Sequence, residues 1–172
     1  IDDFDYLAGH WETACNSSDP YDWIHFNALV FSEIDSALYV SSRHLDRITK
    51  IDYNSKNIIW NMGLQWYCDT VIPFDDFFSG LHGLQLLPNG NIVTLDNGTH
   101  SQIYISGIDA PVSRALEIEI NVSESNGQYS ATTVWSHTLS DDLYGFSSGN
   151  VQKLVNGNYL INTVGSFTCA SA

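Results

Sequence analysis

The sequence predicts an all-β fold, a β-propeller of four-stranded antiparallel blades, and three observations indicate it. Apolar residues occur in short runs or alternate with period two, and no stretch sustains the helical spacing i, i+3, i+4, i+7. Asn-Gly pairs divide several of these runs, which is typical of β-hairpins. The same order of segments then recurs at an interval of tens of residues, as the blades of a propeller do.

The first half of the chain contains short runs of β-branched, aromatic and aliphatic residues bounded by polar turns. Five strands are predicted there, at 37–41, 47–52, 57–60, 83–87 and 91–95. The last two strands flank Asn89-Gly90. Because both central residues of a type I′ turn need positive φ, this pair predicts a tight hairpin.

The second half repeats these signals. Four strands are predicted there, at 115–120, 130–135, 150–155 and 159–162. Residues 115–120 (ALEIEI) alternate with period two, as in a strand whose two faces differ in polarity. Asn126-Gly127 and Asn156-Gly157 predict further hairpins.

An internal repeat groups these strands into blades. Residues 87–95 (LPNGNIVTL) are echoed at 154–162 (LVNGNYLIN), and two units end in a strand that carries a tryptophan, Trp60 or Trp135. A β-sandwich is the competing architecture, but it predicts neither the repeated Asn-Gly-Asn nor the recurrent tryptophan. We expect one partial propeller over 1–172, with blades at about 24–61, 81–136 and 149–172.

Two and a half blades do not fill a ring, since propellers have at least about four. The chain begins at Ile1 rather than at Met and shows no basic-then-apolar leader. We therefore expect that it starts after processing or is an excerpt of a longer chain. Further blades from the same precursor or from another chain are the expected partners; the alternative is that the terminal segments supply strands of their own.

The charge balance excludes several classes of partner. The six Lys and Arg residues stand against twenty Asp and Glu residues, a net charge of -14. A protein of this charge does not neutralise phosphate backbones, so no nucleic acid is expected. Scattered cations do not dock on an anionic membrane, and no apolar run reaches the roughly 18 residues of a membrane-spanning helix.

Cysteines and glycan acceptors bear on location. Cys15, Cys68 and Cys169 show no zinc-ligand spacing, and their odd number allows one disulfide with a spare thiol, or a bond to another chain. Sequons, which also arise by chance, make Asn16, Asn97 and Asn121 candidate glycosylation sites. We expect a secreted, extracellular glycoprotein, or a periplasmic protein in a bacterium.

Polar clusters at strand ends are the candidates for chemistry. They contain His25 with Asn27, Arg43 with His44, His82, the tripeptide Asp96-Asn97-Gly98, and Ser113-Arg114. Each alone fits a structural residue or a turn. Their recurrence at equivalent edges of successive units, in a chain with few cations, instead indicates an anion site that could hold a sulfate or phosphate group.

These motifs resemble the arylsulfotransferase (aryl-sulfate sulfotransferase) family over about 22–165. They are, in order, His25-Phe-Asn27, the run from Leu38 to Arg43-His44, Gly80-Leu-His82, Leu87-Pro-Asn-Gly-Asn91, Asp96-Asn97-Gly98 and Ser113-Arg114. The resemblance implies a six-bladed propeller that moves a sulfuryl group from a phenolic sulfate donor to a phenol acceptor without a nucleotide sulfate. It implies that His82 accepts the group and that His25, Asn27 and Arg43 hold the sulfate oxygens.

The residue types fit that chemistry. A neutral imidazole is a good nucleophile and would form a transient sulfohistidine, with His82, His25 and Arg43 catalytic. Asn27, His44 and Arg114 are the predicted substrate-binding residues. Trp23, Trp66 and Tyr67 could stack on aryl groups, although packing in the core is the expected role for most of them. No cofactor and no metal is expected.

The resemblance is incomplete at the N-terminus. Members of the family carry a further histidine in an earlier blade, and only His10 precedes His25. The competing hypothesis is therefore a secreted, glycosylated structural or binding propeller that keeps these motifs as scaffold and has no catalytic activity.

Overall fold

The regular secondary structure of the described residues is almost all antiparallel β-sheet. The computed structural model describes residues 24–66 and 70–164. Within them, the strands are β1 (Phe26–Ser32), β2 (Ala37–Ser42), β3 (Arg47–Asp52), β4 (Ile58–Gly63), β5 (His82–Leu86), β6 (Ile92–Asp96), β7 (Arg114–Val122), β8 (Tyr129–Thr138), β9 (Asn150–Lys153) and β10 (Tyr159–Asn162). One short helix, α1 (Ser101–Tyr104), and a 3₁₀ turn at Asp141–Leu143 complete the elements.

The strands form three sheets in chain order. Sheet 1 is β1-β2-β3-β4, sheet 2 is β5-β6-β7-β8, and sheet 3 is the hairpin β9-β10, with neighbouring strands antiparallel throughout. The predicted all-β class and its four-stranded antiparallel sheets are confirmed. In the described residues no helix is long and apolar enough to cross a membrane.

Strand β1 is the element that the sequence did not predict. Its residues, FNALVFS, do not alternate in polarity because apolar side chains lie on both faces. Val30 packs against the core, whereas Leu29 and Phe31 are 63% and 45% exposed on the other face of sheet 1. A strand with two apolar faces lacks the period-two signal on which the prediction depended.

Sheet 2 lies between the other two sheets, and period-two alternation sends its side chains to both. Ile92, Leu116 and Ile118 share one buried cluster with Trp60 and Met62 of sheet 1. The intervening residues face the other way. Val93, Leu95 and Ala115 form a second cluster with Val151 of sheet 3.

A buried carboxylate adds polar contacts between sheets 2 and 3. Glu117 of β7 accepts hydrogen bonds from Asn91 Nδ2 at 2.7 Å and from Lys153 Nζ at 2.6 Å. The Tyr159 hydroxyl also donates to this carboxylate, and its ring stacks on Trp135 with centroids 3.7 Å apart. The opposite charge and the hydrogen bonds compensate for the desolvation of Glu117.

The Asn-Gly hairpins form, but the predicted type I′ turn is wrong. Gly90 and Gly157 have positive φ, 89° and 86°, whereas the asparagines before them do not. Gly90 N–H donates to the Leu87 carbonyl and Gly157 N–H to the Leu154 carbonyl, each at 2.9 Å. These are three-residue loops in which a type I turn is followed by a left-handed glycine, so only the glycine needs positive φ.

The first strands of the three sheets lie side by side. Strand β5 contacts both β1 and β9. The residues just before β1, just after β2 and at the start of β5 are therefore brought to one region of the molecule, where the polar clusters of the sequence lie.

Candidate active site

Three imidazole rings meet where sheet 1 adjoins sheet 2. The ring centroids of His25 and His44 are 4.7 Å apart, and those of His25 and His82 are 6.4 Å apart. His25 immediately precedes β1, His44 follows β2, and His82 is the first residue of β5. Two sheets therefore contribute to one histidine cluster.

The backbone of His25 is held in an uncommon conformation. Its φ is +50°, in the left-handed region that residues other than glycine seldom adopt. The His25 carbonyl accepts a hydrogen bond from the Arg43 N–H at 3.0 Å, which ties the start of β1 to the end of β2. Strain of this kind costs about 1–3 kcal/mol and is concentrated at functional sites.

His82 is held through both of its ring nitrogens. Nδ1 lies 2.6 Å from Asn97 Oδ1 and 3.1 Å from the Gly80 carbonyl oxygen, and Nε2 lies 3.2 Å from the backbone nitrogen of Ser148. Burial lowers the pKa of His82, and the charges of Arg43 and His25 lower it further, against the opposing hydrogen bonds with Asn97 and Gly80. The imidazole is thus favoured in its neutral, nucleophilic form.

Arg43 brings a positive charge to the same region. Its side chain is only 5% exposed, Nη2 donates to the Phe146 carbonyl at 3.2 Å, and the guanidinium carbon lies 5.5 Å from the centre of the Phe146 ring. After burial, the positive charge of Arg43 is a further cause of the lowered pKa of His82. A guanidinium beside a neutral imidazole is suited to an oxyanion that the imidazole attacks.

Asn27 links the strands that carry the cluster. Its Nδ2 donates to the Leu81 carbonyl at 2.5 Å, and its Oδ1 accepts from the Ser41 hydroxyl at 2.5 Å. These bonds connect β1 to β2 and to the residue just before His82. The geometry therefore gives Asn27 a positioning role, and its predicted contact with substrate stays a prediction.

Arg114 is engaged by two carboxylates and a carbonyl. Nε and Nη2 donate to Asp96 Oδ2 at 3.0 and 2.9 Å, Nη1 lies 3.1 Å from both oxygens of Asp76, and Nη2 also donates to the Phe77 carbonyl. All three nitrogens of the guanidinium are thereby engaged. These contacts favour a structural role, and the predicted substrate contact of Arg114 stays a prediction.

The carboxylate of Asp96 anchors the turn that carries Asn97. Besides Arg114, it accepts from the backbone N–H groups of Ser79 and Gly98, each at 2.9 Å. Burial raises the pKa of Asp96 to about 6, against the opposing effect of Arg114 and these N–H groups. A Cβ at Gly98, whose φ is +68°, would lie 1.6 Å from the Val112 carbonyl oxygen, so this turn requires glycine.

A second carboxylate, that of Asp46, connects sheet 1 to sheet 2 near the histidine cluster. Its Oδ1 accepts from the Gly80 N–H at 2.6 Å, and its Oδ2 lies 2.9 Å from His100 Nδ1. The carbonyl of that same Gly80 faces His82 Nδ1. Asp46 of the β2–β3 turn thus holds Gly80, the residue whose carbonyl contacts His82.

The remaining predictions concern aromatic residues, glycosylation sites, cysteines and metal ligands. Trp66 donates from Nε1 to the Leu45 carbonyl at 3.1 Å. Asn121 is partly exposed on β7, whereas Asn97 is fully buried with both amide hydrogens donated, an environment that disfavours the predicted glycan. Seven of the residues that the sequence analysis named lie outside the described residues: His10, Cys15, Asn16, Trp23, Tyr67, Cys68 and Cys169. Over 24–66 and 70–164, no group of three or more His, Cys, Asp and Glu could hold a metal.

The sequence reasoning missed the segment that covers the cluster, residues 144–148. Gly145, Phe146 and Ser148 contact Asn97, Arg43 and His82 through backbone atoms. Such contacts leave no mark on residue type. The segment's only sequence signal is its small and aromatic composition, YGFSS, between predicted strands.

Comparison with known families gives one result that covers most of the molecule. A family model described as arylsulfotransferase (ASST) matches residues 5–170. No curated protein shows a significant match to the chain. The matched span includes every residue of the histidine cluster together with Arg43 and Asn97.

Proposed function

Because the chain belongs to the arylsulfotransferase (ASST) family, we propose that it moves a sulfuryl group from an aryl sulfate ester to a second phenol through a sulfohistidine. The observation that carries the proposal is the convergence of His25, His44 and His82, with Arg43 close enough to lower the pKa of His82. A nucleophile, a second imidazole and a fixed cation are the groups that the reaction needs.

In the first half-reaction, the lone pair of His82 attacks the sulfur of the donor ester. An N–S bond forms, the S–O bond to the aryl group breaks, and the electron pair leaves with the aryl oxygen. His25 in its protonated form gives that oxygen its proton, so a phenol departs. The lowered pKa of His82 supports this step because the attacking imidazole must be neutral.

In the second half-reaction, an acceptor phenol takes the sulfuryl group from His82. His25 removes the phenol proton, the new O–S bond forms, the N–S bond breaks, and the imidazole of His82 is restored. Arg43 stabilises the charge on the three sulfuryl oxygens in both directions. The free energy of the transfer is close to zero because one aryl sulfate ester replaces a similar one. Neither a nucleotide nor a redox cofactor takes part.

The propeller ring is also part of the proposal. The side-by-side arrangement of β1, β5 and β9 is what consecutive blades require, and the two terminal sheets expose apolar residues such as Leu29 and Leu160, which are 63% and 56% exposed. We infer that further blades, from the same precursor or another chain, cover these faces in a six-bladed ring. A secreted or periplasmic location goes with this proposal.

The decisive experiment replaces the nucleophile. In the native full-length protein, His82→Asn should lower transfer from p-nitrophenyl sulfate to phenol by at least about 10³-fold and abolish the initial burst of one nitrophenolate per site. His137→Asn, at an exposed histidine of β8, is the matched control and should keep wild-type activity. Equal transfer by wild type and His82→Asn, with both folded by circular dichroism, would remove the proposal.

A further inference from the structure

The carboxamide of Asn97 makes three hydrogen bonds in the described residues, and they fix which way it points. Nδ2 donates to the carbonyls of Gly145 and Ser148 at 2.6 and 3.0 Å, and Oδ1 lies 2.6 Å from His82 Nδ1. Turning the amide over would set Oδ1 against two carbonyl oxygens, which only accept hydrogen bonds. Asn97 therefore presents an acceptor to His82.

Two backbone groups point to the same state of the imidazole. The Gly80 carbonyl, 3.1 Å from Nδ1, can only accept, so Nδ1 carries a hydrogen. The Ser148 N–H, 3.2 Å from Nε2, can only donate, so Nε2 of the neutral ring holds the lone pair. The three contacts agree on one tautomer.

The amide that faces Nδ1 is itself rigidly supported. Asn97 is fully buried, and the residues on either side of it are fixed by the Asp96 carboxylate and by the close approach of Gly98 to Val112. Its other end holds the carbonyl of Ser148, the residue whose N–H meets Nε2. One side chain thus governs the surroundings of both ring nitrogens.

We propose that Asn97 is the positioning residue that makes Nε2 of His82, and not Nδ1, the atom that takes up the sulfuryl group. This rests on the proposed function. With the hydrogen on Nδ1, the lone pair of Nε2 accepts from the Ser148 N–H, and the donor ester displaces this N–H before Nε2 attacks sulfur. With the hydrogen on Nε2, the remaining lone pair faces the oxygens of Gly80 and Asn97, where no ester can approach. Although Asn97 stands in a sequon, it is thus a hydrogen-bond partner of His82 and not a glycan acceptor.

The test combines ¹⁵N NMR of histidine-labelled protein with transfer kinetics. The wild type should show a protonated Nδ1 and an unprotonated Nε2 at His82. Asn97→Leu should give a mixture of tautomers and a kcat lower by roughly 10–100-fold, the effect known for residues that orient metal-binding histidines, with little change in KM for p-nitrophenyl sulfate. Asn121→Leu, at the partly exposed asparagine of another sequon, is the matched control and should change neither measurement.

A second variant covers the event that Asn97→Leu fails to fold. Asn97→Ala removes the acceptor without the bulk of leucine and sets no oxygen against the Gly145 and Ser148 carbonyls, so it should give the same mixture of tautomers and the same loss of kcat. A protonated Nε2 in the wild type, or unchanged tautomer and kcat in Asn97→Leu, would overturn the inference. Absence of transfer by the wild type would overturn the proposed function instead, since the NMR signals need no turnover.

Discussion

The two four-stranded sheets end their second strands differently. In sheet 1, β2 is followed by Arg43, which carries a positive charge, and by His44, whose ring belongs to the histidine cluster. In sheet 2, β6 leads into Asp96 and Asn97, whose oxygens hold Arg114 and His82. Sheet 1 thus contributes groups suited to an anion, and sheet 2 contributes the nucleophile and its supports. The candidate site exists only at the contact between the two sheets.

The largest effect is expected from replacing Arg114, the cation of sheet 2 that pairs with Asp96 and Asp76. Arg114→Met should lower the free energy of unfolding by about 3–5 kcal/mol, because it leaves the buried Asp96 and the half-buried Asp76 without their cation. Arg114→Lys keeps the charge without the forked contacts and should lose less. Urea denaturation followed by tryptophan fluorescence measures both, and a loss below about 1 kcal/mol for Arg114→Met would contradict the structural role.

The next effect is expected in sheet 1 and concerns rate rather than stability. Arg43→Gln should lower kcat/KM for p-nitrophenyl sulfate by roughly 10²–10³-fold, because the charge that stabilises the sulfuryl oxygens in the transition state is lost. Arg43→Lys should recover part of the rate. Should Arg43→Gln transfer sulfuryl groups as fast as the wild type, the assignment of anion binding to sheet 1 would fail.

The smallest effect is a shift in pH dependence. Since the pKa of His82 lies below its ordinary value of 6.5, the neutral nucleophile persists to lower pH, and the acid limb of kcat/KM should lie below pH 6.5. Protonation of His82 removes the attacking lone pair, so activity is lost as pH falls through that limb. Because the Arg43 charge helps to lower this pKa, Arg43→Gln should move the acid limb to higher pH. A shift to lower pH would contradict an effect of the Arg43 charge on the pKa of His82.

The sequence was informative wherever local chemistry decides the structure. Period-two patterns predicted the buried strands such as β7, and the Asn-Gly pairs predicted the hairpins at residues 87–91 and 154–158. The turn type was wrong because Asn-Gly fits both a type I′ turn and a type I turn with a left-handed glycine. Loop length, which distinguishes them, depends on where pairing begins in the folded sheet.

The candidate site was predictable only in part. His25, Arg43, His44 and His82 could be selected from motifs, but the structural partners of Asn97 could not. Asn97 meets Gly145 and Ser148, which are 48 and 51 positions away in sequence, through carbonyl groups that every residue type possesses. Asp96-Asn97-Gly98 read locally is a turn, and only the packed chain reveals that its central amide faces an imidazole.

The carboxylate of Glu117 has a consequence for an array of similar sheets. Apolar contacts alone would accept many alignments of two sheets, since dispersion and hydrophobic forces have little directionality. Lys153 and Tyr159 of the third sheet instead meet one fixed acceptor, and a neighbour offset by even one residue would leave that acceptor stranded. The contacts of Glu117 therefore favour one alignment of sheet 3 against sheet 2 over alignments shifted along the strands.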